Sequence, residues 1–123
     1  MPTVAIVGAS RDRQKFGNKA VRAFQARGYT VYPVNPHAGT VEGLAAFASV
    51  ADIPGHLDMV SIYLPPDEGL RVLPDLDPDR IGEVWFNPGA SSEALVQAAR
   101  ARGLTVIEAC SIVGIGLSPA GFP

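Results

Sequence analysis

Five short apolar runs set the strongest limit on how this chain can fold. They are VAIV (4–7), VYPV (31–34), MVSIYL (59–64), EVWF (83–86) and TVI (105–107). Each is rich in β-branched or aromatic residues and shows little polar alternation, the pattern of strands covered on both faces. Helix-like segments lie between them. Ala20, Val21 and Phe24 form one apolar stripe at helical spacing after the first run. Before the last run, SSEALVQAARARG supplies a serine N-cap, a helix-forming interior and Gly103 as a stop. The hexapeptides ARGYTV (26–31) and ARGLTV (101–106) repeat one helix-to-strand punctuation: arginine in the last turn, glycine at the left-handed cap, then a strand. This alternation predicts an α/β domain, a Rossmann-like doubly wound and mainly parallel five-stranded sheet with helices on both faces.

The intervening segments are less regular. VEGLAAFASV (41–50) is compatible with a short helix or a brief strand, while DEGLRVLPDL (67–76) reads as a helix shortened or kinked by Pro74. Residues 115–123, rich in glycine and proline, are expected to form an irregular tail of a single domain spanning 1–123. No apolar run approaches the eighteen or so residues of a membrane span, and no leader pattern precedes the first strand. A single cysteine, Cys110, excludes an internal disulfide. A cytoplasmic location is the expectation that follows.

Ligands of such sheets bind beyond the carboxyl ends of the strands, so the residues just after each run are the candidate site. After the first run comes GASRDRQKFG, in which Gly8, a basic loop and a following helix N-terminus suit phosphate. The dinucleotide fingerprint G-x-G-x-x-G is absent, since the next glycine is Gly17. Residues 1–40 hold six lysines and arginines and one acid, against four and eleven in residues 41–123. Concentrated charge without a wide basic face or aromatic platforms favours a small phosphorylated ligand over nucleic acid. After the second run, Asn35-Pro36-His37 stands where an NAD-binding domain places an acid for the ribose hydroxyls. Leu64-Pro65-Pro66 forms a rigid wall after the third, and Asn87-Pro88-Gly89 a turn after the fourth.

Catalytic patterns are sparse. Two histidines and one cysteine match no zinc spacing, so no metal site is expected. Cys110 with a histidine is one conceivable nucleophile pair; packing beside a strand is the other reading. Ser10 lacks the G-x-S-x-G context of a serine nucleophile. No reaction follows from these residues.

Taken together, GASRDRQKFGNKAVRAFQARGYTVYPVNP, VADIP, YLPP, VWFNPG and GLTVIEAC resemble the CoA-binding domain family. These are small proteins similar to the nucleotide-binding domain of the succinyl-CoA synthetase alpha subunit, and the resemblance runs from about residue 3 to 112. It implies a Rossmann-like fold that binds coenzyme A, or an acyl-CoA, as a small-molecule ligand. Gly8, Ala9 and Ser10 would approach the diphosphate and pantetheine arm, and Lys15 and Gly17, with Arg11 or Arg13, would complete the phosphate loop. Asn35, Pro36 and His37 would lie near the adenosine end. Tyr63, Pro65 and Pro66 would wall the nucleotide, and Asn87, Pro88 and Gly89 would line the remaining side. The chain departs from the family pattern at Asn87, where glutamine is common, and at Glu108-Ala109, where Asp-Arg is common. The synthetase's phosphorylated histidine belongs to a second domain, so neither His37 nor His56 inherits that role. Two alternatives stand beside a non-catalytic CoA binder: an NADP- or NAD-binding sensor or oxidoreductase-type domain, and a partner-binding subunit that has lost the ligand. A protein partner or a homo-oligomer is compatible with each.

Overall fold

The computed structural model describes residues 1–123. Strand β1 (Thr3–Val7) leads through the basic loop into helix α1 (Phe16–Ala26), which returns the chain to β2 (Thr30–Val34). Two two-residue strands follow, β3 (Thr40–Val41) and β4 (Leu44–Ala45), then β5 (Leu57–Ile62) and helix α2 (Pro66–Val72). The chain closes with β6 (Ile81–Phe86), α3 (Glu93–Ala101), β7 (Val106–Glu108) and the short helix α4 (Ser111–Gly114). The main sheet is five-stranded and wholly parallel, ordered β2-β1-β5-β6-β7, so the Rossmann-like expectation holds. Strand order reverses between β1 and β5, with Val4 opposite Val31 on one side and Met59 on the other.

Alternate residues of each strand feed two cores. Ala5 and Val7 join an eighteen-residue cluster with Leu95, Val96 and Ala99 of α3. Val4 and Ile6 join an eleven-residue cluster with Ala20, Val21 and Phe24, the stripe on α1. That two-sided burial is why the strands carry no polar alternation. Ser92 caps α3 as expected, its Oγ accepting from the Leu95 amide at 3.1 Å. Gly28 and Gly103 both take the left-handed cap conformation, at φ 78° and 86°.

Segment 41–50 is neither a helix nor a strand of the main sheet. Glu42 and Gly43, both at positive φ (49° and 79°), make the tight turn of a β3–β4 hairpin. Phe47 then bridges to Val34 along the outer edge of β2 and covers it. Pro74 ends α2 in a 3-10 turn over Leu73–Asp75, as its missing amide requires. The tail is irregular apart from a 3-10 turn at Pro119–Gly121, and two arginines tie it to the rest of the domain. Arg27 donates to the carbonyls of Ile115 and Gly116, and Arg22 to those of Phe122 and Pro123. No helix is long and apolar enough to cross a membrane.

Candidate functional site

The loops after β1, β2, β5 and β6 meet over the carboxyl edge of the sheet, where its strand order reverses. Two cavities open there. One, of about 730 Å³, is lined by Gln14 to Gly17 at the entry to α1, Tyr63 to Pro65, Asn87 to Ala90, Cys110 and Pro119. The other, of about 560 Å³, is lined by Val7 to Ser10, Val34 to His37, Ala48 to Val50 and four side chains of α2 and the turn after it. Gly8, Lys15, Tyr63, Leu64 and Pro65 line both, so the two are lobes of one crevice joined at a waist.

The waist is built by close backbone packing. Gly8 has φ +88°, and a Cβ there would lie 2.7 Å from the Tyr63 carbonyl oxygen. A Cβ on Gly17 would collide with the Gly8 carbonyl itself. Thus Gly8 and Gly17 are glycine because α1, β1 and the β5 loop crowd one another, quite apart from any ligand. The arrangement leaves Lys15 exposed at the N-terminus of α1, whose first turn contains no acid and has no side-chain cap. An anion at this place would meet both the lysine and the positive end of the helix dipole.

Most of the predicted residues converge here. Gly8, Ala9, Ser10, Lys15, Asn35, Pro36, His37, Tyr63 and Pro65 line the smaller lobe, and Gly17, Asn87, Pro88 and Gly89 the larger. Arg11, Arg13 and Pro66 line neither. Arg13 pairs with Glu42 across 3.2 Å. Arg22 is occupied with Asn18, the Arg13 carbonyl and the tail, and Lys19 lies over the Phe16 ring. Of the five basic side chains in residues 10–22, Lys15 is therefore the one that faces the crevice. Arg71, on α2, is a second cavity-lining cation that strand-end reasoning passed over because it lies a turn inside the helix.

Two predicted contacts have structural work of their own. Asn35 Nδ2 donates to the Ala9 carbonyl at 2.8 Å while its Oδ1 accepts from the His37 amide, latching the loop after β2 to the loop after β1. Asn87, 2% exposed, donates to Ser61 Oγ and the Ile62 carbonyl and accepts from the Ser111 amide. Ser61 and Ser111 share a 2.7 Å hydroxyl contact, and Tyr63 OH reaches Ser111 Oγ at 3.2 Å. Burial pushes the Tyr63 phenol up to about 12, so it stays protonated. Ser61 and Ser111 had no sequence signal, since a serine inside an apolar strand or at a helix start looks like ordinary filler.

The acid missing after β2 reaches the smaller lobe from elsewhere: Glu68 and Asp75 both line it. Cys110 and His37, the conceivable nucleophile pair, fall in different lobes. His56 lies beside Asp58 at the start of β5, the opposite end of that strand from the crevice. No three His, Cys, Asp or Glu side chains group as a metal-ligand set.

A parallel sheet of this order, with a two-lobed crevice over its switch point, defines a Rossmann-like α/β domain of the ligand-binding kind. The chain belongs to the CoA-binding domain family, whose model matches residues 2–115. It is 38% identical over 63 residues to the alpha subunit of ADP-forming acetate–CoA ligase II from Pyrococcus furiosus, covering 50% of this chain and 14% of that protein. It is 27% identical over 104 residues to the uncharacterized protein YneT of Bacillus subtilis, covering 85% of this chain and 77% of that one. Among solved structures, a conserved hypothetical protein from Pyrococcus furiosus superposes with a TM-score of 0.83 at 29% identity, over 93% of this chain and 99% of that chain. The dinucleotide-forming acetyl-coenzyme A synthetase 1 of Candidatus Korarchaeum cryptofilum, in complex with phosphate and ADP, gives 0.75 at 28% identity over 87% of this chain and 25% of that one. The chain thus spans a small part of the ligase relatives and most of the short ones.

Proposed function

We propose that this chain is a cytoplasmic binder of coenzyme A or an acyl-CoA, as a single domain spanning 1–123, with the ligand laid across the waist of the crevice. One observation carries the reading: two lobes meet over Lys15 and the N-terminus of α1, at the point where the sheet reverses. An elongated ligand with its charge in the middle fits that layout. The diphosphate would sit at Lys15, where the lysine and the helix dipole offset its charge. The adenosine end would occupy the smaller lobe between Asn35-Pro36-His37 and α2, with Arg71 available to its 3′-phosphate. The pantetheine arm would enter the larger lobe toward Cys110. Family membership supports the ligand class. The role is binding and presentation, because the lobes separate the thiol from the imidazole rather than joining them.

Glu68 and Asp75 favour a second reading, a dinucleotide whose ribose hydroxyls they would accept in the smaller lobe. Calorimetric titration with CoA, dephospho-CoA, NADP and NAD decides between them. The CoA reading expects that order of affinity, CoA above dephospho-CoA and NAD weakest. NADP or NAD binding more tightly than CoA would overturn it.

A further inference from the structure

The larger lobe differs in character from the waist. Lys15, at the junction, is its one charged side chain, and no carboxylate lines it. Apart from the exposed Gln14 and the Cys110 thiol, its remaining polar side chains are held within the fold. The Asn87 amide is held by Ser61, Ile62 and Ser111, and the Tyr63 hydroxyl by Ser111. Phe16, Leu64, Pro65, Pro88, Ala90 and Pro119 complete an apolar wall. Phe16 is 57% exposed on the structure, a large exposure for a phenyl ring whose chain neighbours Gly17 and Asn18 are buried. At about 730 Å³ the lobe lies well inside the range of small-molecule sites, roughly 300–1,000 Å³.

From this chemistry we infer that the larger lobe takes the acyl group of a CoA thioester, and that this acyl group is uncharged and apolar. The inference rests on the CoA reading and on the pantetheine arm entering this lobe. A carboxylate at the far end of the acyl chain would sit among Phe16, Leu64, Pro88 and Pro119 without a cation lining its part of the lobe, since Lys15 is engaged by phosphate at the waist and Lys19, held over the Phe16 ring, does not line the cavity. Desolvating a charge without a partner is strongly unfavourable. An amine at the same place would find no acid. Methylene groups, by contrast, would leave water for contacts with the phenyl ring, the leucine and the prolines.

Butyryl-CoA and succinyl-CoA make a matched pair, four acyl carbons each, differing by a terminal carboxylate. Affinities for CoA, acetyl-CoA, butyryl-CoA and succinyl-CoA are measured by calorimetry on the intact chain under one buffer. Each methylene buried adds on the order of fourfold. Butyryl-CoA, with two more methylenes, is therefore expected to bind about fifteenfold more tightly than acetyl-CoA, and succinyl-CoA at least tenfold more weakly than butyryl-CoA. Phe16→Ala, at an exposed helix start, is expected to shrink the butyryl-to-acetyl ratio. Equal affinities across the thioesters, or succinyl-CoA binding as well as butyryl-CoA, would overturn the acyl inference while leaving the CoA reading intact. Failure of free CoA itself to bind would overturn both.

Discussion

The carbonyl oxygen of Gly8 occupies the place where a Cβ of Gly17 would be. The two glycines that frame the basic loop are therefore in direct backbone contact, nine residues apart in sequence. This contact packs the start of α1, next to Lys15, against the end of β1.

Substitution at either glycine is expected to act on the fold before it acts on any ligand. Gly8→Val combines a left-handed φ with a contact to the Tyr63 carbonyl at 2.7 Å. It should cost about 2 kcal/mol or more in urea denaturation. Gly17→Ala should cost a comparable amount, because the atom it meets is backbone and cannot swing aside. Wild-type stability in either variant would mean that the loop yields freely.

Charge at the waist sets the second prediction. Lys15→Ala is expected to weaken CoA about tenfold, roughly 1.4 kcal/mol, and raised salt should weaken the wild type in the same direction. Arg22→Ala should behave differently. Its guanidinium holds Asn18, the Arg13 carbonyl and the tail carbonyls, so its loss should lower stability by about 1–3 kcal/mol. If salt and Lys15 leave CoA affinity unchanged, the diphosphate does not sit at the waist.

Cys110 reports which lobe the pantetheine arm enters. It is partly buried on the wall of the larger lobe. Saturating acetyl-CoA, which has no free thiol to consume the reagent, should slow its alkylation by iodoacetamide, read by intact mass, whereas NAD should not. Equal alkylation rates with and without acetyl-CoA would place the arm elsewhere.

The buried network gives a pH signature. Tyr63 ionises only near 12 in the folded protein, while an unfolded tyrosine ionises near 10. A group whose folded pKa is raised contributes stability that is fully present below the unfolded value. That contribution is lost as pH rises from about 10 through 12. Tyr63→Phe should flatten this part of the stability profile. Asn87→Ala leaves the Ser111 amide without its acceptor and should cost about 1–3 kcal/mol at neutral pH. At the acid end, the Asn18 amide, with Arg13 beside it, holds Glu42 below the usual carboxylate range. This depressed group contributes above its unfolded value and is lost as pH falls below about 4. Glu42→Gln should therefore reduce the acid sensitivity of the fold.

Periodicity carried the sheet and its helices, because strands buried on both faces leave unbroken apolar runs and helix ends leave serine and glycine marks. Strand-end logic then found the crevice, since a parallel sheet forces every such loop to one edge. What it missed came from partners distant in sequence. Arg13 looks like a phosphate ligand in a string of letters, yet in the fold it pairs with Glu42. Glu68, Arg71 and Asp75 reach the smaller lobe from within and just after α2. Glutamate is not a residue that marks a tight hairpin turn, and two residues on each side of Glu42-Gly43 were too few to register as strands.

The Arg22 guanidinium and the Phe122 carbonyl that it grips are one hundred residues apart along the chain. Contacts that close so long a loop form late in folding, because the entropy of closure must be met before they contribute. The wall that Pro119 adds to the larger lobe should therefore be among the last parts of the molecule to assemble and among the first to open. Amide exchange in residues 115–123 should run well ahead of exchange in β1 and β5, and a ligand that fills the lobe should slow it. The site's occupancy would then be written in the lifetime of the tail.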